Sequence, residues 1–579
     1  MMSSLVTTWN KNKPYLYGVR SARVQGKPRI VAPMYLGPRA RVLEQLRTQG
    51  AVAPQPGAAP PLRTVQTREC GASTLLYPLA QDLGIVDRLN AHVPPAPVGR
   101  RTSLSVGHSL LLAAVHRALW ATSKRACAEW YQTTVLARLL PAASEELRSQ
   151  RFWDHMPLFA APHCAPIQQE LCTRIRQRVP RGEQFLVYAT TNDDPFLHTC
   201  NSRPRLPQRG SKKQKRNDLR QLSLALVVDE ERGLPLSYRC YAGNVHDGVA
   251  WGATLSDMLR QGCPHQAPAR LTLVMEKGTV SFANFTVLKK APCSFLAAMP
   301  AAWVRSCAQV ALRHCQPLTL PDGRRLKVSA QADPRLGGID GKLLVSFRPP
   351  FYRQQGRTLA LLQQQADQQL HALRAAIQDA VVRQRPRTEG AVRRAMNQLV
   401  RHDRLNDFFS PTLQGDQGAV QDLRWQGDTR KKRHLKPHDL GQTVLLTDRQ
   451  ERSDQRMVVA YRHQAKVEEM FRISKSRRPG LWWPAHHWTD STLSVHALSC
   501  FVALLLMRIV WLRLQDHHLA IGVDILTERL RGLQEALVVY ANGAAQRVMT
   551  ERRPQQEELF VALDLQTLAQ QLGHTLRKP

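Results

Sequence analysis

The stretch from residue 185 to residue 276 constrains the fold of this chain more than any other. It contains four β-rich runs, "FLVYA" (185–189), "SLALVVD" (223–229), "PLSYRCYAG" (235–243) and "LTLVME" (271–276). The second and third runs are joined by the hairpin turn "EERG", and a helical pattern, "GVAWGATLSDMLRQG", precedes the fourth. A crossover helix would return the fourth strand parallel to the first. The pattern therefore predicts that positions 189 and 276 lie side by side at the carboxyl ends of their strands.

This order of elements is that of a ribonuclease-H-like sheet, so we predict an α/β fold with a mixed sheet flanked by helices. Residues 183–292 would form the first part of the core and residues 441–515 the second. The second part contains the strand "TVLLTD" (443–448) and a long helix that begins near Arg456. Residues 293–440 mix strand-like pieces with a Gln/Arg-rich helical stretch, which indicates an inserted α+β region.

The remaining segments are predicted to be a small β-hairpin, a linker and two helical regions. Residues 1–50 form a basic hairpin that turns at Gln25-Gly26, and the Pro/Ala-rich residues 51–66 form a linker. Residues 67–182 form an N-terminal helical domain for DNA binding or dimerisation, in which His108 and His116 are interpreted as polar edges of packed helices. Residues 516–579 are predicted to be helical.

The composition points to a nucleic-acid partner. The chain of 579 residues has 81 Lys plus Arg against 45 Asp plus Glu, a formal net charge of +36. A ribosomal or nucleoid protein is rarely this long and hydrophobic, and an anionic membrane is the less favoured partner. The long apolar stretch at 493–514 is interrupted by charged and polar residues and is predicted to be a buried helix.

The cysteines suggest reduced thiols in a cytosol. Eleven cysteines occur without a CxxC pair, and the N-terminus lacks a secretory apolar region. Cys307, His314 and Cys315 come nearest to a metal-binding spacing, but we interpret them as ordinary residues. A cytoplasmic location is expected.

The stretch "YRHQAKVEEMFRISKS" (461–476) contains the most informative spacing in the chain. Tyr461, Glu468 and Lys475 are seven residues apart, so they share one face of a helix. The spacing alone fits an ordinary amphipathic helix equally well.

This stretch resembles the signature of the insertion-sequence 4 superfamily of bacterial DDE transposases: tyrosine, two residues, arginine, three residues, glutamate, six residues, lysine. Three of the four positions match, and Gln464 stands where the arginine belongs. The resemblance covers most of the chain, more loosely in the insertion and the C-terminal tail. Its further segments are "SVGHSLLLAAVHRA…SK…EW", "RGSKKQKRNDLRQLSLALVVDEERGLPLSYRCYAGNVHD", "LTLVMEKGTVSFANF" and "RRPGLWWPAHHWTDSTLSVHALSCFVALLL".

The resemblance implies an enzyme in which two aspartates and a glutamate hold two divalent cations, Mg²⁺ or Mn²⁺, at a DNA phosphodiester. Glu468 is then the third acid, and Tyr461 and Lys475 contact DNA phosphate; the neighbouring Glu469 is structural. The second acid falls on Glu276, which is longer than the family's aspartate by one C–C bond, about 1.5 Å.

The first acid of the family falls on Ala189, which cannot bind a metal. Asp193 and Asp194 are possible substitutes, but the strand is expected to end at Ala189, which places both of them in a loop. The resemblance therefore argues for the family and against full activity.

The segment "RPRLPQRGSKKQKRNDLRQ" (203–221) has eight basic residues and one acid. It is predicted to contact DNA phosphates, although a solvated charged loop is the simpler alternative. Trp482, Trp483 and Trp488 could stack on unpaired bases or pack in the core. The candidate DNA-binding residues are Arg209, Lys212, Lys213, Lys215, Arg216 and Gln464.

Two functional hypotheses follow from the sequence. The first is a transposase that acts in DNA transposition and recombination, with impaired chemistry. It would bind the terminal inverted repeats of its element as a homodimer on double-stranded DNA, associated with the nucleoid of a bacterial cell. The alternative is a non-catalytic DNA-binding relic or domesticated factor on the same scaffold. A basic scaffold protein would leave the ordered motifs unexplained.

Overall fold

The structure is a computed structural model. It describes residues 3–10, 13–24, 27–39, 62–94, 104–120, 123–159, 161–176, 184–195, 197, 201–210, 218–260, 271–300, 303, 314–332, 341–399, 409–416, 418–427, 440–475, 481–482, 485–565 and 567. The chain divides into two compact units. One consists of Met1–Gln66 and Ala536–Val548, and the other of Thr67–Glu535 and Met549–Pro579.

The strands in the described parts of the chain are β1 (Ser3–Asn10), β2 (Lys13–Val24), β3 (Lys27–Pro38), β4 (Leu62–Glu69), β5 (Gln184–Asp193), β6 (Gln208–Arg209), β7 (Arg220–Asp229), β8 (Pro235–Ala242), β9 (Leu271–Met275), β10 (Ser294–Ala298), β11 (Gln316–Thr319), β12 (Arg325–Ala332), β13 (Lys342–Phe347), β14 (Arg387–Thr388), β15 (Phe409–Asp416), β16 (Ala419–Gly427), β17 (Gln442–Thr447), β18 (Gln534–Tyr540) and β19 (Ala545–Met549).

The α-helices in the same parts are α1 (Gly71–Asp82), α2 (Ile85–Ala91), α3 (Val106–Trp120), α4 (Cys127–Gln132), α5 (Leu136–Leu139), α6 (Ser149–His155), α7 (Ala161–Arg176), α8 (Asp247–Arg260), α9 (Phe282–Lys290), α10 (Pro349–Val382), α11 (Glu389–Leu399), α12 (Asp454–Arg462), α13 (Gln464–Lys475), α14 (Asp490–Asp516), α15 (Val523–Arg531) and α16 (Pro554–Ala562).

A large mixed sheet flanked by helices forms the centre of the larger unit, which makes the fold α/β. Its strand order is β11-β12-β13-β17-β10-β9-β5-β7-β6, with β8 also paired to β7. Strands β5, β9 and β10 run parallel, whereas β7 is antiparallel to β5 and to β8. Helix α13 packs on β5, α12 on β9 and β10, and α7 and α14 on β8.

Strand β5 is longer than the sequence suggested. It runs through Thr190 and Thr191 to Asp193, and it pairs with β7 from Leu186 opposite Asp229 to Asp193 opposite Leu222. The prediction that the strand closes at Ala189 is therefore wrong. The physical reason is that two β-branched threonines extend the run and that β7 supplies a backbone partner as far as Asp193.

The segment predicted as an insertion contributes to the large sheet as well as forming a core of its own. Strands β10 to β13 belong to the sheet. By contrast, α10, α11, β15 and β16 enclose a separate apolar cluster that includes Leu370, Ile377, Met396 and Leu423. The division into domains stays a prediction.

In the smaller unit, β1, β2 and β3 form an antiparallel sheet, and β2 and β3 pair on either side of the predicted hairpin turn. The turn residues Gln25 and Gly26 lie outside the described residues. A second sheet has the order β19-β18-β4, and β4 begins inside the stretch that the sequence suggested is a linker.

The prediction that 516–579 is helical throughout is wrong at β18 and β19. The run "ALVVY" has strand propensity, and the turn that follows contains Asn542-Gly543, with Gly543 at a φ of 83°.

The apolar stretch at 493–514 lies in α14, as predicted. This helix is long and apolar enough to cross a membrane, but 89% of its most apolar window is buried inside the protein.

Candidate functional site

The register of β5 against β9 brings Ala189 beside Glu276. The two strands are parallel, with Leu186 opposite Leu273 and Val187 opposite Val274. The observed pairing ends there; the same register continued by two residues, one past the end of β9, would set Ala189 opposite Glu276. Ala189 is only 4% exposed, so its methyl group is buried.

Glu276 is contacted from the helical segment that contains Glu468. The Gln464 side chain donates a hydrogen bond from Nε2 to Oε2 of Glu276 at 3.2 Å. Burial, and then the charges of Glu276 and Glu468, raise the pKa of Tyr461 to about 12. Gln464 thus contacts Glu276 directly, and Tyr461 is within electrostatic influence of both carboxylates.

The predicted single helix at 461–476 is broken. Helix α12 ends at Arg462 and α13 begins at Gln464, with His463 as a turn between them. Glu230, which directly follows β7, contacts α12 near its start and the turn at His463. Its carboxylate accepts hydrogen bonds from Arg456 at 3.1 and 2.7 Å and contacts Nδ1 of His463.

Helix α13 lies along β5 and orients the remaining motif residues. Glu468 is exposed, and the Lys475 ammonium donates to the backbone carbonyl of Asn192. Glu469 faces elsewhere and accepts from Arg472 at 3.3 Å, in keeping with a structural role.

Asp193 and Asp194 do not take the place of the acid missing at 189. Asp193 lies four residues further along β5, which corresponds to about 13 Å of strand. It is buried, and its Oδ1 accepts a hydrogen bond from the backbone of Asp194 at 2.9 Å. Strand geometry therefore keeps both acids away from the position opposite Glu276.

The donor set falls short of what two divalent cations require. Glu276 and Glu468 supply carboxylates, but Ala189 supplies none. Within the described residues, no group of three or more His, Cys, Asp and Glu side chains is arranged to hold a metal ion. The residues present therefore do not fit the two-cation centre implied by the resemblance.

Sequence reasoning did not single out Asp247 as a neighbour of this site. Asp247 begins α8 and accepts a hydrogen bond from the Tyr241 hydroxyl at 2.9 Å. Burial chiefly, and then the charges of Asp247 and Glu276, raise the pKa of Tyr188, so both acids lie near this tyrosine. The signal was present in "GNVHDG", where an acid opens the crossover helix.

Of the predicted DNA-binding residues beyond Gln464, the structure describes Arg209. It is exposed on β6, opposite Arg220 of β7. Lys212, Lys213, Lys215 and Arg216 lie outside the described residues.

The tryptophans divide by burial. Trp482 is 2% exposed and packs in a core cluster with Leu222 and Leu493, so base stacking is the wrong interpretation for this residue. Trp488 is 62% exposed, so its ring is accessible for base stacking. Trp483 lies outside the described residues.

His116 lies in the packed interior of the helical region and not at a polar edge, whereas the interpretation of Cys307, His314 and Cys315 as ordinary residues stays a prediction. His116 is buried against the Trp130 ring, with 4.9 Å between ring centroids. Burial, followed by the charges of Arg117 and Lys124, lowers its pKa to about 3. Cys315 is buried while His314 is exposed, and Cys307 lies outside the described residues.

No family model matches this chain, and no curated protein does. Among solved structures, the chain is similar to a piggyBac transposase in a synaptic complex with hairpin DNA, with a TM-score of 0.35 and 9% sequence identity. The match covers 79% of this chain and 78% of that one. Neither the fold family nor the function of the chain follows from a likeness of that extent.

Proposed function

We propose that this chain is a transposase-like DNA-binding protein whose strand-cleaving activity is impaired at Ala189. The observation that supports it most is the meeting of Ala189, Glu276 and Gln464, with Glu468 one helical turn beyond Gln464. These are the positions at which the resemblance expects the catalytic residues, and they converge although they are distant in sequence.

The sheet supports a ribonuclease-H-like core. The run β8-β7-β5-β9-β10 consists of three strands joined in antiparallel fashion, followed by two strands parallel to β5. In open α/β sheets, sites form outside the carboxyl ends of the strands, and Glu276 directly follows β9.

Double-stranded DNA is the partner that the charge favours. A net charge of +36 attracts phosphates, and the exposed Arg209 lies on the strand that pairs with β7. We propose the terminal inverted repeats of a mobile element as the target, bound by a homodimer.

Each remaining site residue has a role that needs no bound ion. Gln464 orients the Glu276 carboxylate through its amide, and Lys475 fixes the end of α13 to β5 through Asn192. Tyr461 is kept as a neutral phenol by burial and by the two carboxylates, so it can donate a hydrogen bond to a phosphate oxygen.

The first test measures binding and cleavage separately. We expect the purified chain to bind terminal-repeat duplex DNA in a salt-sensitive manner and to show little cleavage in Mg²⁺ or Mn²⁺. Robust cleavage by the unaltered chain would refute the impairment, and binding insensitive to salt would refute the phosphate contacts.

The second test restores the family's acids with Ala189→Asp and Glu276→Asp, assayed on the same DNA. We expect cleavage to appear, and to disappear again when Glu468→Gln is added as the matched control. Circular dichroism and urea unfolding establish that each variant is folded. A folded double variant that binds DNA without cutting it would favour the alternative, a non-catalytic relic or domesticated factor.

A further inference from the structure

A cationic pocket is formed by the N-terminal helical region together with His486. It is separate from Glu276 and Glu468, the acids of the site described above. It is an open pocket of about 490 Å³, and its lining includes Arg117, Lys124, Arg125, His486 and Trp153. None of the described residues that line it is acidic. A pocket lined by one sign of charge concentrates counter-ions of the opposite sign.

Two of its cations are held in place by the fold. Arg117 is 3% exposed, and its guanidinium donates to the backbone carbonyl of Leu481 at 3.1 Å. The Lys124 ammonium lies 3.3 Å from Nε2 of His487 and 5.7 Å from the centroid of the Trp153 ring. Both charged groups are thus positioned before any ligand arrives, which lowers the entropy cost of binding one.

The cations also disfavour each other's charge. Burial chiefly, and then the Arg117 charge, lower the pKa of Lys124 to about 7. Burial, and then Lys124 and Arg117, likewise lower the pKa of His486 and His487. An anion in the pocket would favour the charged form of Lys124 and would offset its repulsion from Arg117.

We propose that this pocket binds a phosphoryl group of a nucleic-acid backbone, with Arg117 and Lys124 as fixed contacts and Arg125 and His486 at its rim. The volume exceeds that of one phosphate, and the half-buried Trp153 ring offers an apolar face to an adjoining sugar or base. The choice of a nucleic-acid source rests on the proposed DNA-binding function, whereas the phosphoryl chemistry does not.

The first experiment compares the full chain with Lys124→Gln/Arg125→Gln by fluorescence anisotropy on labelled duplex DNA at several salt concentrations. The matched control is Arg383→Gln/Arg393→Gln, which removes the same charge from two exposed arginines of the insertion. The pocket variant is expected to bind at least about tenfold more weakly, with a log–log salt slope smaller by about 1–2 because one or two phosphate contacts are lost. Affinity and slope equal to those of the control would overturn the backbone assignment.

The second experiment uses the unaltered protein, so it does not depend on how a variant folds. Acetic anhydride at pH 7 should modify Lys124 faster than ordinary lysines, and peptide mapping should show protection by duplex DNA. The same protection measurement is repeated with inorganic phosphate in place of DNA.

The outcomes separate this pocket from the proposed function. If phosphate protects Lys124 but the protein does not bind DNA, the proposed DNA-binding function is refuted. The proposal that the pocket binds a phosphoryl group then still stands. If the protein binds DNA but only inorganic phosphate protects Lys124, the pocket binds free phosphate. The proposal that its ligand is a nucleic-acid backbone is then overturned. If neither ligand protects Lys124, the pocket proposal is overturned.

Discussion

Replacing Glu230 with glutamine should show how firmly α12 and the turn at His463 are fixed to the sheet. Glu230 is 2% exposed, and its carboxylate accepts two hydrogen bonds from Arg456 while it contacts His463. Glu230→Gln keeps the shape of the side chain but removes its charge. Arg456, near the start of α12, then loses its ionic partner.

The magnitude follows from the pKa of Glu230. Burial raises this pKa, but the hydrogen bonds from His463 and Arg456 outweigh burial and lower it from 4.5 to about 2. That difference corresponds to about 3 kcal/mol of folding free energy. Because the folded-state pKa is lowered, the stabilisation is fully present above pH 4.5 and is lost as the pH falls through about 2.

The assay is urea unfolding at pH 7 and pH 3, together with hydrogen exchange of residues 454–475. Glu230→Gln should lose about 3 kcal/mol at pH 7 and about 1 kcal/mol at pH 3, with faster exchange in both helices. The control is Glu389→Gln, which breaks an exposed pair with Arg393 and should cost less than about 1 kcal/mol. A loss no larger than that of the control, or one that is equal at both pH values, would refute the reasoning.

Two further pairs of substitutions test packing. Gly441→Ala should cost about 2 kcal/mol or more in urea unfolding, since Gly441 has a φ of 75° and an added Cβ would lie 2.6 Å from that of Tyr352. Gly356→Ala, with nothing within 4 Å of the new Cβ and a helical backbone, should instead stabilise by up to about 1 kcal/mol. Trp482→Ala should cost about 3–5 kcal/mol because the ring is buried, whereas Trp488→Ala should leave the unfolding midpoint nearly unchanged. Equal effects within either pair would contradict the assigned environments.

The sheet could be predicted where local pattern and connection length agree. The runs at 223–229 and 235–243 are joined by a short turn, and a helix of crossover length precedes the strand at 271–275, so topology rules leave few arrangements. The extension of β5 to Asp193 was not predictable in this way because it depends on a partner in β7. The strands of the predicted insertion reach the sheet through equally non-local pairing, with β13 bonded to β17.

The residues of the candidate site were predicted from their types and spacing in the sequence. How they are arranged depends on tertiary contacts, which the spacing does not show. A seven-residue spacing put Tyr461 and Glu468 on one face, and the Glu468 charge contributes to the raised pKa of Tyr461. The spacing did not reveal the turn at His463, whose side chain contacts a carboxylate more than 200 residues away in sequence. The approach of Asp247 to Tyr188 depends in the same way on how the crossover helix packs.

Glu276 and Gln464 are better understood together than as two separate departures from the resembled family. Glutamate is longer than the family's aspartate, and glutamine is shorter than its arginine, so the two changes offset each other in length. A 3.2 Å hydrogen bond joins the two side chains, so a neutral amide contacts this acid. Ala189 has no comparable compensation, because β5 carries its next acids to the far end of the strand. Ala189→Asp/Glu276→Asp shortens the acid in this contact, whereas Ala189→Asp alone keeps it, so the single variant belongs beside the double variant in the same cleavage assay.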